Sequence, residues 1–433
     1  MVSDLEPRAP LSATEADGLS KYFFWDIVAT TMMTLDQKKL YRLPWDQRNS
    51  PGGWIEITDR CDLSCRGCYR HTLEGDRSLE TICSDVVALQ QALNCETIAI
   101  AGGEPLLHPR LPEIVSFIAG RGLKPRLLTN GHCLTPELAA TLKKAGLAAF
   151  HFHVDYQQNR PGWTGKDEQE HNTLRQHYAD MVFQLGGVEC GFYTTVYRSS
   201  LDQIPHIVRW LHKNPHKVQH LSLIVFRGLP DTPAITYHVN GRPVDIRQMR
   251  TRVADTHEIT IRSEDVWRII NDHFPGSWPS AYTPGTAAPE TFKFLVIPYI
   301  GSKKQIFGTA GPVTIKMGLW VLRLFSRKYA IAAREFGVGK KIFLFALIDG
   351  RMRQALKTYL KCVIRNPSVL AEKIYTQTIN IQQPLEVISG KMNLCDGCVN
   401  YMLHEGELVH SCRLDEYRMF GGPLVPVQSD DPR

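Results

Sequence analysis

Three cysteines that could ligate metal fall within eight residues of the chain: Cys61, Cys65 and Cys68. They follow a strand-like run over residues 54–59, so we expect them on a short loop at the end of a strand. Thiolates are the usual ligands of iron–sulfur clusters, and three of them leave one iron of a four-iron cluster open. Structural zinc sites close with four ligands, usually as two pairs, so zinc fits less well. Three unrelated cysteines are the remaining alternative, which the polar neighbours Asp62 and Arg66 disfavour.

A second motif, Gly102-Gly103-Glu104, directly follows the strand-like run Thr97 to Ala101. Two glycines let a backbone approach a ligand closely, and the carboxylate can accept hydrogen bonds from an ammonium group. Alone, such a tripeptide is typical of a turn. Its position after the second strand, downstream of the cysteines, favours a binding role.

Together the two motifs resemble the radical S-adenosylmethionine (radical SAM) superfamily. The resemblance implies a [4Fe-4S] cluster on the three cysteines, with SAM on the open iron and its methionine amino group held by Gly102, Gly103 and Glu104. It also implies reductive cleavage of SAM to a 5′-deoxyadenosyl radical, fed by a low-potential electron donor of the flavodoxin or ferredoxin type. The chain departs from the common pattern at Gly67, where many members carry an aromatic residue. Here the aromatic Tyr69 follows the last cysteine instead.

Further polar residues end the third and fourth predicted strands. Asn130 closes the third strand, and Asp155 shares one face of the fourth with His151 and His153, because alternate strand residues point the same way. The resemblance implies that Asn130 contacts SAM and that Asp155 or a histidine contacts SAM or the substrate. A plain turn and ordinary structural hydrogen bonds are the alternatives. No residue is assigned a catalytic proton transfer.

A second cysteine group lies near the carboxyl end: Cys395, Cys398 and Cys412. This spacing resembles the C-terminal cluster of the cyclic-pyranopterin-forming GTP cyclases and, more broadly, of SPASM and twitch radical SAM enzymes. It implies an auxiliary [4Fe-4S] cluster. Zinc is the alternative, with His410, His404 or Cys362 as its fourth ligand. The rest of the cyclase pattern is missing, so GTP is not expected as the substrate.

Strand-like and helical segments alternate from Trp54 to Phe226, which indicates parallel βαβ units. Six such units, in the architecture that the resemblance implies, give an α/β fold with a partial (β/α)6 TIM barrel, a C-terminal helical insert and an auxiliary iron–sulfur segment. We divide the chain into an N-terminal extension, the barrel core, a hairpin and loop extension, a basic amphipathic helical region and the auxiliary segment: residues 1–50, 51–230, 231–310, 311–388 and 389–433. The stretch 19–34 is predicted to be an amphipathic helix. Within the extension, Asn240-Gly241 is predicted as the tight turn of the hairpin and 274–290, rich in proline and glycine, as a loop. The stretch 311–384 is predicted to be helical.

The helical region is strongly basic. Between Lys316 and Arg365 the sequence has twelve Lys or Arg residues, including Arg334, and two acidic residues, Glu335 and Asp349. Basic amphipathic helices with aromatic residues such as Trp320 indicate an anionic membrane surface or a lipid substrate. Solvated basic faces packed on the barrel are the alternative. Nucleic acid is not expected, because no recognisable binding module accompanies the charge.

The composition is that of a globular protein of 433 residues with a net charge of +6. The chain opens without a signal peptide and its cysteines cluster, which predicts a cytoplasmic protein, peripheral at the inner face of the membrane. The longest apolar run, residues 342–348, is too short to span a bilayer. We therefore predict a radical SAM enzyme that modifies an unactivated bond in a lipid or other hydrophobic anion. The alternatives are a peptide-modifying SPASM or twitch enzyme and a non-enzymatic iron–sulfur or zinc protein.

Overall fold

The computed structural model describes residues 34–71, 75–328 and 339–428. The chain divides into two units between Asp36 and Gln37, and the fold below is that of the unit from Gln37 onwards. Almost all of the helix predicted over 19–34, together with Arg334 and Glu335, lies outside the described residues. The five domain boundaries stay predictions.

The described strands, numbered along the chain, are β1 (Tyr41–Arg42), β2 (Gly52–Glu56), β3 (Thr97–Ala101), β4 (Lys124–Thr129), β5 (Ala149–His153), β6 (Glu189–Val196), β7 (His220–Val225), β8 (Leu229–Pro230), β9 (Ile235–Val239), β10 (Arg242–Val244), β11 (Arg252–Val253), β12 (Ala281–Pro284), β13 (Phe292–Gly301), β14 (Ile306–Thr309), β15 (Tyr375–Gln382), β16 (Glu386–Ile388), β17 (Lys391–Asn393), β18 (Tyr401–His404), β19 (Glu407–His410) and β20 (Val425–Gln428). The α-helices are α1 (Leu79–Leu93), α2 (Leu111–Gly120), α3 (Pro136–Lys144), α4 (Asn172–Leu185), α5 (Ile204–Lys213), α6 (Ser263–His273), α7 (Pro312–Ser326), α8 (Gly350–Arg365) and α9 (Leu414–Phe420).

Strands β2 to β7 form the centre of the main sheet and lie side by side in chain order, all parallel. A helix follows each of the first five, which confirms the six predicted β/α strands. Helix α1 shows why the alternation folds this way. Its stripe Ile82, Val86, Leu89 and Leu93 is fully buried, and burying each such side chain contributes about 1.5–3 kcal/mol.

The sheet is wider than six strands. Beyond β7 it continues through β15, β13 and β12 to β1, and beyond β2 through β18 to β19, so its path stays open rather than closing into a barrel. Two local predictions are wrong: β15 lies inside the stretch 311–384 predicted as helical, and β12 lies inside the predicted loop 274–290. Strand β15 was not predicted because it carries polar residues on its inward-facing side. In an alternating strand pattern, those inward-facing positions are normally apolar.

The hairpin β9–β10 is confirmed with the predicted turn. Asn240 and Gly241 have φ of 50° and 77°, the left-handed conformations that a two-residue type I′ turn requires. Strand β20 pairs with β9 on its other side, a pairing that the sequence did not indicate.

The basic region folds as α7, a 3₁₀ segment over Gly339–Leu347, and α8. It packs on the sheet edge through two apolar clusters. Among the described helices, none combines the length and apolar character that crossing a bilayer requires.

Candidate functional site

Both cysteine groups line the same cavity, which has a volume of about 260 Å³ and lies at the inner face of the main sheet. The sequence separates Cys68 from Cys395 by most of the chain, yet the fold brings the two loops together. The six thiols at this cavity are those of Cys61, Cys65, Cys68, Cys395, Cys398 and Cys412.

The first cysteine loop follows β2 and is fixed by backbone hydrogen bonds to the loop after β5. The Arg66 N–H donates to the Gln157 carbonyl at 2.9 Å, and the Asn159 side chain donates to the Ser64 carbonyl at 2.7 Å. A tight turn joins the last two cysteines, since the Cys68 N–H donates to the Cys65 carbonyl at 3.3 Å. The loop is therefore held in place by the protein itself.

Gly102 and Gly103 line the cavity and also support this loop. The Gly103 and Glu104 N–H groups donate to the carbonyls of Thr58 and Arg60, both at 2.8 Å. A Cβ on Gly102, whose φ is +138°, would lie 2.3 Å from the Thr58 carbonyl oxygen, and one on Gly103 would lie 2.1 Å from that of Arg60. Glycine is required here because two backbones meet. From the sequence we expected the glycines to allow the close approach of a ligand, whereas in the fold they allow that of the Thr58 and Arg60 backbone.

Glu104 does not itself line the cavity, and its carboxylate already has three donors. These are the Thr129 hydroxyl at 2.6 Å and the backbone N–H groups of Asn130 at 2.7 Å and Leu106 at 2.9 Å. Burial raises the pKa of Glu104 to about 7, although these hydrogen bonds act in the opposite direction. The carboxylate thus ties the glycine turn to the end of β4, and Gly102 and Gly103 are the part of the motif that lines the cavity.

Asn130 lines the cavity and connects the end of β4 to the cysteine loop. Its side-chain amide donates to the Asp62 carboxylate at 2.7 Å, and its carbonyl side-chain oxygen accepts from the His132 N–H at 2.7 Å. The Cys133 thiol donates to the other Asp62 oxygen at 3.2 Å. Asn130 therefore positions the residue beside Cys61.

Asp155 is fully buried behind the cavity wall, whereas His153 faces the cavity. Asp155 Oδ2 lies 3.0 Å from His153 Nε2, and its Oδ1 accepts from the Gln157 N–H at 2.9 Å. Burial alone would raise the pKa of Asp155, but His153 and the Gln157 N–H hold it below its usual range. Asp155 is thus an anion beside His153, whose Nε2 also lies 3.1 Å from the Thr195 hydroxyl, and His153 is the one of the two that lines the cavity.

The second cysteine loop is attached to the end of β12. The Asp396 N–H donates to the Pro284 carbonyl at 2.9 Å, and the Asn400 N–H donates to the Cys398 sulfur at 3.3 Å. Gly397 has a φ of +86°, and a Cβ there would lie 2.5 Å from the Trp45 carbonyl oxygen. Strand β12 therefore places Cys395 and Cys398, and its absence from the predicted fold left this placement unforeseen.

Two arginines join the cysteine groups through Tyr69, the residue after Cys68. The guanidinium carbons of Arg70 and Arg227 lie 4.8 Å and 5.1 Å from the centre of the Tyr69 ring. Arg227 donates to the Cys412 carbonyl at 2.9 Å and Arg70 to the Ser411 carbonyl at 2.7 Å. The aromatic residue of the first loop is thus held against the backbone that carries the third cysteine of the second.

Arg70 is buried and its charge is compensated. It forms ion pairs with Glu56 and, at 3.1 Å, with Asp415. The second Asp415 oxygen accepts from the His71 N–H at 2.6 Å. This network fastens the C-terminal segment to β2 and to the first cysteine loop.

The thiols suit metal ligation better than nucleophilic catalysis. Burial raises the pKa of Cys61 and that of Cys395 to about 11, and it raises those of Cys65 and Cys398 further. Such thiols are protonated at neutral pH, whereas a reactive cysteine needs a lowered pKa. A bound cation supplies the positive charge that deprotonates a coordinating thiol.

No three His, Cys, Asp or Glu side chains in residues 34–71, 75–328 and 339–428 are arranged to hold a single metal ion. A four-iron cluster spreads its thiolates over separate irons, so three cavity-facing thiols on one loop fit the cluster chemistry. Of the three proposed fourth ligands of a C-terminal zinc, His410 lines the cavity. Cys362 instead contacts Gln305 from α8, and the His404 ring lies 5.9 Å from that of Tyr417.

A polar wall deeper in the cavity was only partly predicted. The rings of His151 and His220 stack at 5.5 Å across Gly191, where a Cβ would lie 2.9 Å from His151 Cδ2. His151 Nδ1 lies 3.1 Å from the Tyr193 hydroxyl, and Asn380 Nδ2 lies 3.5 Å from His220 Nε2. Burial, and to a smaller extent the Arg126 guanidinium that also lines the cavity, lowers the pKa of His220 to about 3, so His220 is neutral beside a buried cation. Asn380 was missed because β15 was predicted as helix. Tyr193 and His220 were not predicted either, although Tyr193 lies on the fifth predicted strand and His220 directly before the sixth.

Comparisons with known proteins match one part of this unit to a superfamily. Residues 55–184 match the family model of the Radical SAM superfamily. GTP 3′,8-cyclase of Syntrophomonas wolfei is 34% identical over 110 residues, which cover 23% of this chain and 33% of that protein. PqqA peptide cyclase of Streptomyces rochei is 33% identical over 102 residues, covering 23% and 28%. The chain thus spans about a third of the length of the curated relatives it matches.

Among solved structures, SuiB of Streptococcus suis bound to S-adenosylmethionine has a TM-score of 0.37 and 13% identity, over 51% of this chain and 46% of that chain.

Proposed function

We propose, from the premise that residues 55–184 of this chain belong to the radical SAM superfamily, that the protein reductively cleaves SAM and uses the radical to modify an unactivated bond. The observation that supports this most is the meeting of the cysteine loop, Gly102 and Gly103 at one cavity. A [4Fe-4S] cluster held by the three cysteines of this loop would supply the single electron that cleaves the C5′–S bond of SAM to methionine and a 5′-deoxyadenosyl radical. A low-potential donor of the flavodoxin or ferredoxin type is the proposed source of that electron.

The chain's own residues have separate tasks in this proposal. Cys61, Cys65 and Cys68 would hold the cluster. Gly102 and Gly103 offer backbone atoms to the methionine end of SAM, and Asn130 and His153 lie at the same cavity for the remainder of the molecule. The surrounding sheet excludes water and other hydrogen donors from the radical, which is a task of positioning and enclosure.

The second cysteine group is proposed to hold an auxiliary [4Fe-4S] cluster. Cys395, Cys398 and Cys412 face the same cavity, so a substrate there would lie between two metal centres. Zinc is the alternative for this group, with His410 as the candidate fourth ligand that shares the cavity. Metal analysis separates the two, because zinc without additional iron in the C-terminal group would exclude the auxiliary cluster.

The substrate is proposed to be a lipid or another hydrophobic anion. The cavity has apolar side chains such as Leu128 and Phe294 for the hydrophobic part of such a substrate. Arg126, which lines the cavity with the polar wall of His151, Tyr193, His220 and Asn380, is the cation proposed to pair with its negative charge. A peptide substrate is the second candidate, favoured by the similarity to PqqA peptide cyclase of Streptomyces rochei.

The test is SAM cleavage by anaerobically reconstituted protein with a chemical reductant. Wild-type protein is expected to release 5′-deoxyadenosine and methionine, and Cys65→Ala is expected to release none. Cys190→Ala is a matched control, because Cys190 is buried on β6 and is not among the cavity-lining residues. A wild-type protein that holds iron but releases no 5′-deoxyadenosine would leave the non-enzymatic iron–sulfur protein as the better account.

A further inference from the structure

Exposed apolar side chains are concentrated in one part of the molecule. Of the fourteen large hydrophobic residues that are exposed in the described ranges, eleven lie between Val313 and Leu370. Three of them, Phe325, Leu347 and Ile364, are each more than four-fifths exposed, at 82%, 83% and 81%. Single exposed hydrophobic residues are ordinary on a protein surface, but a concentration marks an interaction site.

The elements that carry these exposed side chains also pack against the core of the protein. Helix α7 packs inwards through Leu319 against Leu43 and Trp45. The segment Gly339–Leu347 packs through Phe343, whose ring stacks on Tyr359 of α8 at 4.9 Å. Each element therefore already buries one apolar side and exposes a second. We call these outward sides of α7, of Gly339–Leu347 and of α8 the apolar–basic surface.

The charge of the apolar–basic surface has one sign. The three elements contain nine Lys or Arg residues and no Asp or Glu. On α8, Lys357, Lys361 and Arg365 are exposed and four residues apart, so they follow one line along the helix, close to the exposed Leu360 and Ile364. Cations beside protruding apolar side chains match a layer of anionic headgroups over acyl chains.

We propose that the apolar–basic surface docks the protein on an anionic lipid bilayer. Phe325, Leu347 and Ile364 enter the headgroup–acyl boundary, Trp320 lies at the headgroup level, and the lysines and arginines pair with lipid phosphates. This rests on the proposed function, since docking would bring a lipid-like substrate to the enzyme. Eight of the nine Lys and Arg residues are exposed, whereas Arg351 is partly buried and donates to the Pro279 carbonyl. A second copy of the chain would oppose these eight cations with eight more, and nucleic acid would leave the apolar side chains uncovered.

The test is co-sedimentation of the full chain with vesicles of phosphatidylcholine alone or of phosphatidylcholine with phosphatidylglycerol. Wild-type protein is expected to sediment with the anionic vesicles. Phe325→Ser/Leu347→Ser is expected to weaken this binding by about tenfold or more, because two apolar contacts are lost. Lys357→Gln/Lys361→Gln is expected to weaken it by a similar factor through lost headgroup attraction.

Matched controls lie outside the surface. Phe183 on α4 is 49% exposed and Lys143 and Lys144 on α3 are exposed, so Phe183→Ser and Lys143→Gln/Lys144→Gln should bind like wild type. The proposal is overturned if wild-type protein stays in the supernatant with anionic vesicles, or if the controls weaken binding as much as the surface variants. It is also overturned if the surface variants instead abolish a stable complex with an acidic protein while vesicle binding is unchanged.

The vesicle assay needs neither SAM nor turnover. Its result can therefore contradict the docking proposal without contradicting the proposed enzymatic function. Vesicle binding without 5′-deoxyadenosine release contradicts only the enzymatic function. Release of 5′-deoxyadenosine without vesicle binding contradicts only the docking.

Discussion

Replacing Gly103 by alanine should damage both the stability of the fold and the first metal site. A Cβ at this position would lie 2.1 Å from the Arg60 carbonyl oxygen and 2.6 Å from its carbon. Both are backbone atoms that cannot rotate away, so the turn carrying Gly103 must separate from the strand that leads into Cys61.

The loss in the free energy of unfolding can be estimated from the contacts that this separation breaks. Overpacking against backbone costs about 1–3 kcal/mol. The two hydrogen bonds from Gly103 and Glu104 to the carbonyls of Thr58 and Arg60 contribute about 0.5–1.5 kcal/mol each. The sum is a loss of about 2–6 kcal/mol in the free energy of unfolding, and it acts on the residue directly before Cys61.

Urea unfolding of the metal-free protein measures the first effect and iron content after reconstitution measures the second. Gly103→Ala should have a lower urea midpoint and less bound iron than wild type. Gly120→Ala is the matched control, because Gly120 ends helix α2 with no atom within 4 Å of its added Cβ. It should be neutral or stabilising by up to about 1 kcal/mol. If Gly103→Ala unfolds and loads iron like wild type, the glycine does not join the two loops as described.

Three other changes test separate parts of the structure. Arg70→Met leaves Glu56 and Asp415 buried without their cation, so urea unfolding should show a free energy of unfolding lower by about 3–5 kcal/mol. Adding Glu56→Gln should restore part of this loss, and no restoration would argue that uncompensated charge is not its cause. Burial lowers the pKa of His212 to about 4, whereas the pKa of an unfolded histidine is about 6.5. The unfolded chain therefore binds the proton first as the pH falls, and the free energy of unfolding drops by about 2 kcal/mol at pH 5. His212→Leu should remove this part of the acid sensitivity in urea titrations at pH 7 and pH 5, and an equal drop in both proteins would contradict the reasoning. Gly397→Ala, with its positive φ and backbone contact, should reduce metal bound to the C-terminal group as measured in a variant lacking the first three cysteines, and unchanged metal content would show that the turn tolerates a side chain.

The parallel core could be predicted because its strands carry a regular signal. Strand β3 is a short apolar run that ends at Gly102, and the stripe from Ile82 to Leu93 repeats at helical spacing, so local pattern and tertiary burial agree. Local chemistry also placed the hairpin turn at Asn240 and Gly241. In each case the information lies within a few adjacent residues.

The parts of the fold and of the site that were not predicted depend on contacts between residues far apart in the sequence. Strand β15 carries Gln377, Asn380 and other polar side chains that the cavity and buried hydrogen bonds accommodate, so its alternation is not apolar. Nothing local indicates that Arg227 reaches the backbone of Cys412. For the site, cysteine spacing was sufficient to nominate both groups, but their meeting at one cavity follows from the sheet extension through β13 and β12.

The burial of Glu104 and Asp155 could not be predicted from the sequence. Glu104 was nominated as a contact to the SAM amino group, and Asp155, or a histidine on the same strand face, as a contact to SAM or the substrate. In the fold each is buried one layer behind the cavity, where Glu104 accepts from Thr129 and Asp155 faces His153. Sequence position identifies such groups but does not tell which layer they occupy.

The most direct test of the central claim uses the Cys395→Ala/Cys398→Ala/Cys412→Ala variant, in which the first cysteine group is the proposed cluster site that remains. Reconstituted under anaerobic conditions, it should hold about four irons per chain, against about eight in wild type. After reduction, its electron paramagnetic resonance spectrum should change when SAM is added, because in the proposed function SAM would bind the open iron of this cluster. A variant that holds no iron, or whose spectrum SAM leaves unchanged, would contradict the assignment of Cys61, Cys65 and Cys68 as the SAM-binding centre.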